Sequence, residues 1–437
     1  MNHTHDPRLR CWVSSANAPD GDFPIQNLPF GVFSQGDGSK RIGIAIGDSV
    51  LDVGACGRHG LIRESRALEA CDSTRLNELM SLPSADVSEL RAAASELLSS
   101  TGEKAEAAKR LGKTVLGKLS DCRLWLPAEI GDYTDFYASV HHATNVGSMF
   151  RPDQPLLPNY KYVPIGYHGR SSSLVPSGTA VRRPRGQAKS TDAPTPEFAS
   201  SKMLDYESEL GFFIGRGTSI GESLTIDEAS DTIFGFCLVN DWSARDIQAW
   251  EYQPLGPFLA KNFATSLSPW VVTAEAVAPY RVPAAARPPG DPDPLPYLRS
   301  DRDAATGGLA VTLEVYLRSP AMAEQGSAPM LLSSAPFSEM YWSVAQMVAH
   351  HSSNGCNLRS GDLMASGTVS GPTEDSLGCL LELTRRGARP IALPTGEQRK
   401  FLEDGDEVIM RGYLVAPGAP RIGFGECTGT ILPSGTD

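Results

Sequence analysis

The chain has 437 residues, more than one average domain holds, so two or three units with at least one large core are expected. Its 39 basic and 51 acidic residues give a net charge of −12, which repels phosphate backbones and anionic lipid and argues against nucleic-acid and membrane partners. A hydrophobic content of 41% is that of a globular protein, and no run of about 18 apolar residues exists to span a bilayer.

Residues 1–60 carry short apolar alternations broken by glycine, as in RIGIAIGDSVLDV, which predict half-buried strands with a turn at Gly47-Asp48 and hence a small β unit. The opening MNHTHDPRLRCWV lacks the apolar core of a signal peptide, so a cytoplasmic location is expected. From about 61 to 120 the pattern SADVSELRAAASELLSSTGEKAEAAKRLG predicts one or two amphipathic helices. Beyond Leu124, glycine, proline and short apolar runs predict a large, mainly β unit. Within it, the proline-rich stretch 278–308 is expected to be an irregular surface connection. The eight cysteines (Cys11, Cys56, Cys71, Cys122, Cys237, Cys356, Cys379 and Cys427) form no CxxC pair and are expected to be reduced and mostly buried.

Chemistry concentrates in a few stretches. DFYASVHHATN brings Asp135, Tyr137, His141 and His142 together just after Asp132. A histidine can take a proton from water near neutral pH while a neighbouring carboxylate holds a cation. The competing reading is a helix start, capped by Thr134 with Asp135 in its first turn. In KMLDYESELGFFIG, strand alternation sets Asp205, Glu207 and Glu209 on one face. The apolar continuation draws that face inward, where like charges stay ionised only around a cation; a solvated strand face is the alternative.

VNDWSARDIQAWEYQPLGP places Arg245, Gln248 and Tyr252 on one helix face, a cation, an amide and a phenol suited to an oxygen-rich ligand. Asp241, at the strand-to-helix junction, is left as a helix cap, a metal ligand or a surface partner of Arg245. Lys261 stands among apolar residues, either snorkelling outward or held in a site. MASGTVSGP puts Ser366, Thr368 and Ser370 between glycines, either at a ligand or in a plain turn. His168, His350 and His351 read as structural histidines.

Taken in order, DYTDFYASVHHATN, PIGYHGRSSS, LDYESELGFFIG, NDWSARDIQAWEYQPLGPFLAKNF, NGCNLRSGDLMASGTVSGP and RIGFGECTG resemble the fumarylacetoacetate hydrolase family in its full-length, two-domain form. The resemblance implies a mainly β fold, with a small N-terminal SH3-like β barrel and helical linker over 1–122 and a large C-terminal β-roll domain over 123–437. It also implies a homodimer that hydrolyses a carbon-carbon bond of 4-fumarylacetoacetate to give fumarate and acetoacetate, the last step of tyrosine and phenylalanine catabolism.

Residue by residue, the resemblance places calcium ligands at Asp135, Glu207, Glu209 and Asp241, and a structural magnesium near Asp241, Lys261 and Thr265. It implies His142 as the catalytic histidine, with Glu382 in LLELTRRG orienting it. Arg245, Gln248 and Lys261 fall on the groups that hold the oxyanion, and Tyr137, Arg151, Tyr167, Gln248, Tyr252 and Thr368 on substrate contacts. Two positions depart from the family pattern: Ala264 stands in place of glycine, and His141 in place of a polar amide.

These parts imply that His142 takes a proton from water, which attacks the carbonyl beside the fumaryl group. Related chemistries on the same scaffold, such as acylpyruvate hydrolysis, decarboxylation or isomerisation, share the acidic motif, and only the hydrolases need the His142 and Glu382 pair. A noncatalytic metal-binding protein would bind calcium without turnover. A two-carboxylate glycosidase is disfavoured because Glu207 and Glu209 are adjacent instead of facing each other across a substrate.

Overall fold

A computed structural model describes residues 1–190 and 192–435, with Phe150 described by its backbone alone. The fold is mainly β, as the sequence implies. Strands Phe30–Gln35, Arg41–Ile46 and Ser49–Asp52 form an antiparallel meander in the register Gly31↔Gly43 and Ile44↔Leu51. Gly47, at φ 54°, makes the tight turn between the second and third, in the left-handed region that favours glycine. Leu116–Lys118 adds to the outer strand, and Cys122–Trp125 pairs with Phe30–Gln35.

Between these strands lie the two expected helices, Ser84–Leu98 and Glu103–Leu111, preceded by the short helices Arg66–Ala70 and Asn77–Ser81. Val87, Leu90, Ala94, Leu97 and Leu98 recur at helical spacing and are buried against Phe30, Ile44 and Leu51 in one apolar cluster. That cluster also takes in Val239, Leu267, Val271 and Leu363 from the second half of the chain.

The backbone makes the same connection. Phe30 pairs with Val271 and Gly31 with Trp270, so the N-terminal meander runs on into strands Trp270–Thr273, Ile233–Asp241, Ser208–Ile214, Leu363–Ala365, Tyr133–Phe136 and Gly166–Gly169. A Cβ at Gly31 would stand 2.5 Å from the Trp270 ring, so only glycine admits this crossing. A second sheet of five strands contains Val311–Arg318, Glu407–Leu414 and Ile422–Leu432. Val311–Arg318 alternates buried and half-buried residues throughout, and its inward face meets the first sheet in a cluster holding Leu210, Leu238, Trp242, Met410 and Phe424. Among the described residues no sheet closes into a barrel.

The stretch 278–308 departs from expectation. It contains the short helix Asp301–Thr306, capped by the Ser300 hydroxyl, and a strand pair joining Arg281–Val282 to Gly308–Leu309. The helix and the strand Gly308–Leu309 fall within 299–309, which holds no proline, while Arg281–Val282 fits between Pro279 and Pro283. No helix among the described residues is long and apolar enough to cross a membrane. The cysteines are free, with Cys356 exposed and Cys122 half-buried while the other six are buried.

Candidate active site

Asp135 lies on strand Tyr133–Phe136, which pairs with Leu363–Ala365 on one side and Gly166–Gly169 on the other. Thr134 is therefore a strand residue and not a helix cap. The helix starts later, at Val140–Phe150, where the Ser139 hydroxyl accepts from the His142 backbone N–H. Thr134 instead meets His351 across 2.9 Å, and His350 meets the Tyr297 hydroxyl at the same distance, so both histidines have structural partners.

The Ser139 cap fixes His142 in the first turn. Its Nδ1 lies 2.6 Å from Glu382 Oε2, and both side chains are buried. With Nδ1–H donated to the carboxylate, Nε2 carries the lone pair that can accept a proton. Glu382 is held from several sides: Asn145 Nδ2 donates to Oε1 at 2.8 Å, Ser370 Oγ to Oε2 at 2.8 Å, and the Cys379 thiol to Oε2 at 3.2 Å. Burial opposes its charge, but the His142 ring and these donors outweigh burial and pull the carboxyl down to about 2.

The acidic strand is not continuous. Leu204–Asp205 pairs with Ser243–Ala244, the ladder breaks at Tyr206-Glu207, and Ser208–Ile214 resumes beside Ile233–Asp241. The break separates Asp205 from the other two acids. Asp135, Glu207, Glu209 and Asp241 converge, each offering an oxygen within 4.8 Å of the rest, and all four are buried. Lys261 is drawn into the same place, its Nζ 2.6 Å from both Glu207 Oε2 and Asp241 Oδ2. It is held in the site and does not snorkel. Arg245 joins Glu207 Oε1 at 2.6 Å and Asp205 Oδ2 at 2.9 Å, not Asp241 as a surface pair would require.

Two cations do not balance this cluster. Burial, then the neighbouring carboxylates, push Asp135 and Glu209 well above the usual carboxyl range. Glu207 moves the other way: burial opposes its charge, and Lys261 with Arg245 overrides burial. Asp135 Oδ1 and both Glu209 oxygens have no hydrogen-bond partner among the described residues. Orphaned, all-oxygen donors converging on one point suit a hard divalent cation of the calcium or magnesium type. At the corner of Asp241, Lys261 and Thr265 the situation differs. Both Asp241 oxygens are engaged there, Oδ1 by Thr265 Oγ1 at 3.0 Å and Oδ2 by Lys261 and, at 3.1 Å, by the Tyr167 hydroxyl.

A cavity of about 780 Å3 opens onto these groups. Its wall includes Asp135, Tyr137, His142, Arg151, Tyr167 and Glu207. Arg245, Gln248, Tyr252, Lys261 and Thr368 also line it. Behind this wall, Glu382 is bound to His142, Asp241 to Lys261 and Thr265 to Asp241, and Glu209 converges with the other carboxylates. The metal-holding, catalytic and substrate-contact residues implied by the resemblance thus lie in one place, whereas Asp205, which alternation set on the same face as Glu207 and Glu209, does not join the carboxylate cluster. Among the residues that hold Glu382, Ser370 stands in the glycine-flanked loop the sequence singled out, whereas Asn145 and Cys379 carry no local signal for that role.

Residues 132–432 match the family described as fumarylacetoacetate (FAA) hydrolase C-terminal, and residues 26–127 the family described as fumarylacetoacetase N-terminal. The chain belongs to the fumarylacetoacetate hydrolase family. Among members of this family, the human fumarylacetoacetase is 47% identical over 421 residues, covering 95% of this chain and 98% of that one. The rice enzyme (Oryza sativa subsp. japonica) of the same name is 43% identical over 434 residues, covering 98% of each. The solved structure of a fumarylacetoacetate hydrolase from psychrophilic Exiguobacterium antarcticum shares the fold, with a TM-score of 0.50 and 17% identity over 93% of this chain and 99% of that one.

Proposed function

We propose that this protein is a metal-dependent hydrolase that cleaves 4-fumarylacetoacetate to fumarate and acetoacetate, completing tyrosine and phenylalanine breakdown. The observation that carries this reading is the buried His142 and Glu382 pair, opening on the same cavity as four converging carboxylates.

His142 Nε2 takes a proton from water, whose oxygen attacks the carbonyl beside the fumaryl group. Glu382 holds the ring in the tautomer this requires and stabilises the imidazolium that forms. Three donors remain for the resulting oxyanion. Arg245 is fixed through Nε and Nη1, leaving Nη2 without a partner among the described residues. Gln248 accepts from Arg245 through Oε1 at 3.1 Å, which turns its amide N–H groups elsewhere. Lys261 has two N–H groups committed to carboxylates and a third to spare.

As the tetrahedral centre collapses, the carbon-carbon bond breaks and its electron pair leaves with the acetoacetate fragment as an enolate. The proton held by His142 completes acetoacetate. Asp135, Glu207, Glu209 and Asp241 would hold a divalent cation, calcium in this reading, which supplies Lewis-acid stabilisation to the substrate's diketone oxygens when bound. Tyr137, Arg151, Tyr167, Tyr252 and Thr368 orient the substrate. A structural magnesium beside Asp241, Lys261 and Thr265 is supported by the resemblance alone, and no step uses it.

The same reading makes residues 1–122 an SH3-like unit with its helical linker, and 123–437 a β-roll, with strand Cys122–Trp125 straddling the boundary. It includes a homodimer, supported by the family resemblance, and a cytoplasmic location, supported by an opening sequence without the apolar core of a signal peptide. The experiment is His142→Ala: kcat is expected to fall about 10²- to 10⁴-fold while calcium affinity, read by calorimetry, is retained. Full turnover by that variant would remove the mechanism.

A further inference from the structure

Asp205 is the one buried acid of the LDYESE stretch that stands outside the carboxylate cluster, and it is 0% exposed. Its four contacts tie together parts that are distant in sequence. Oδ1 accepts from the Leu380 backbone N–H at 2.7 Å and from the Tyr206 N–H at 2.9 Å. Oδ2 accepts from the Leu381 N–H at 3.0 Å and from Arg245 Nε at 2.9 Å. Leu380 and Leu381 open the short helix Leu380–Leu383 that carries Glu382, and its own cap residue, Cys379, supplies no side-chain cap.

One carboxylate thus holds the turn that carries the partner of His142 and the inner edge of Arg245. Each oxygen takes two donors, so rotation of either group breaks a bond to a buried charge. With its Nε edge held by Asp205 and Nη1 by Glu207 and Gln248, Arg245 can present only Nη2 to a reacting oxygen.

Resting on the function proposed above, we infer that Asp205 is a positioning residue that keeps the water-activating pair and the oxyanion-holding Arg245 in mutual register. It touches neither substrate nor metal. Asparagine at this site presents an N–H to one of the donor pairs, turning two of the four hydrogen bonds into repulsive contacts without changing side-chain size.

The test is steady-state kinetics of Asp205→Asn on fumarylacetoacetate, with calcium affinity measured in parallel and the same substitution repeated in a Glu382→Gln background. The expected result is a kcat loss of at least about 10²-fold, with KM and calcium affinity within about threefold of wild type. In the Glu382→Gln background, Asp205→Asn is expected to cost much less, because both changes act through one unit.

Undiminished kcat in Asp205→Asn, or losses that multiply in full in the double variant, would overturn the inference. Should Asp205→Asn not fold, Asp205→Glu keeps the buried charge and displaces it by one methylene. The same kcat loss at constant calcium affinity is expected of it, and full kcat would overturn the inference. Absence of turnover by the wild-type protein would remove the proposed function and this inference together, whereas wild-type turnover with an unimpaired Asp205→Asn removes the inference alone.

Discussion

Glu209 belongs to the carboxylate cluster, and neither of its oxygens has a hydrogen-bond partner among the described residues. Glu209→Gln is therefore expected to weaken calcium binding at least tenfold, or by ~1.4 kcal/mol, as read by isothermal titration calorimetry. Unchanged affinity would move the cation elsewhere. Glu382 gives a pH signature of known sign. Its carboxyl is lowered from 4.5 to about 2 in the fold, so the unfolded chain takes up the proton first as pH falls. Its stabilisation, on the order of 3 kcal/mol, is present above pH 4.5 and lost as the pH falls towards 2. Urea unfolding should show the gap between wild type and Glu382→Gln narrowing across that window, and a constant gap would contradict the assignment. Glu207 and Glu209 were legible in the sequence because the apolar residues after LDYESE draw the strand inward, and buried like charges stay ionised only around a cation; the same argument took in Asp205, which stands outside the cluster, and left Asp135 and Asp241 between competing roles. Glu382 was not legible, since it meets His142 from 240 positions away in a stretch with no local signature.

At the scale of elements, alternation marks the strands of RIGIAIGDSVLDV and the start of LDYESELGFFIG but not the interruption of the latter. Val311–Arg318 follows its pattern from end to end, whereas LDYESE continues the same alternation through Tyr206-Glu207, where the ladder breaks. Hydrogen bonds from the Leu380 and Leu381 amides and from Arg245 to Asp205 accompany that break, and periodicity carries no information about them. The turn after Leu363–Ala365 is equally specific. Gly367 has φ +75°, and a Cβ there would lie 2.1 Å from the Phe136 carbonyl oxygen, next to the Asp135 strand and one residue before Thr368. Gly367→Ala is expected to cost about 1–3 kcal/mol from backbone strain, and more from the clash, with KM raised because Thr368 is displaced. Thermal unfolding together with kinetics checks both; wild-type stability would contradict the contact.

At the scale of the molecule, the composition pointed correctly to a large, mainly β chain, yet the joining of its two parts was hidden. The pairing of Gly31 with Trp270 depends on a missing side chain at one position and a large ring in the second half of the chain, and only the folded chain brings them together. The carboxylate cluster couples the same core to metal. Calcium at about 100 times its dissociation constant is expected to stabilise the fold by ~2.7 kcal/mol, seen as a concentration-dependent rise in melting temperature that a chelator reverses. A melting temperature indifferent to calcium would contradict a cation in this core. The most direct measurement is the loss of diketone absorbance when the purified protein meets 4-fumarylacetoacetate, with and without chelator, beside a simple acylpyruvate. Rapid, metal-dependent loss that yields fumarate and acetoacetate is the expected result; turnover of the acylpyruvate alone, or loss indifferent to chelation, would contradict it.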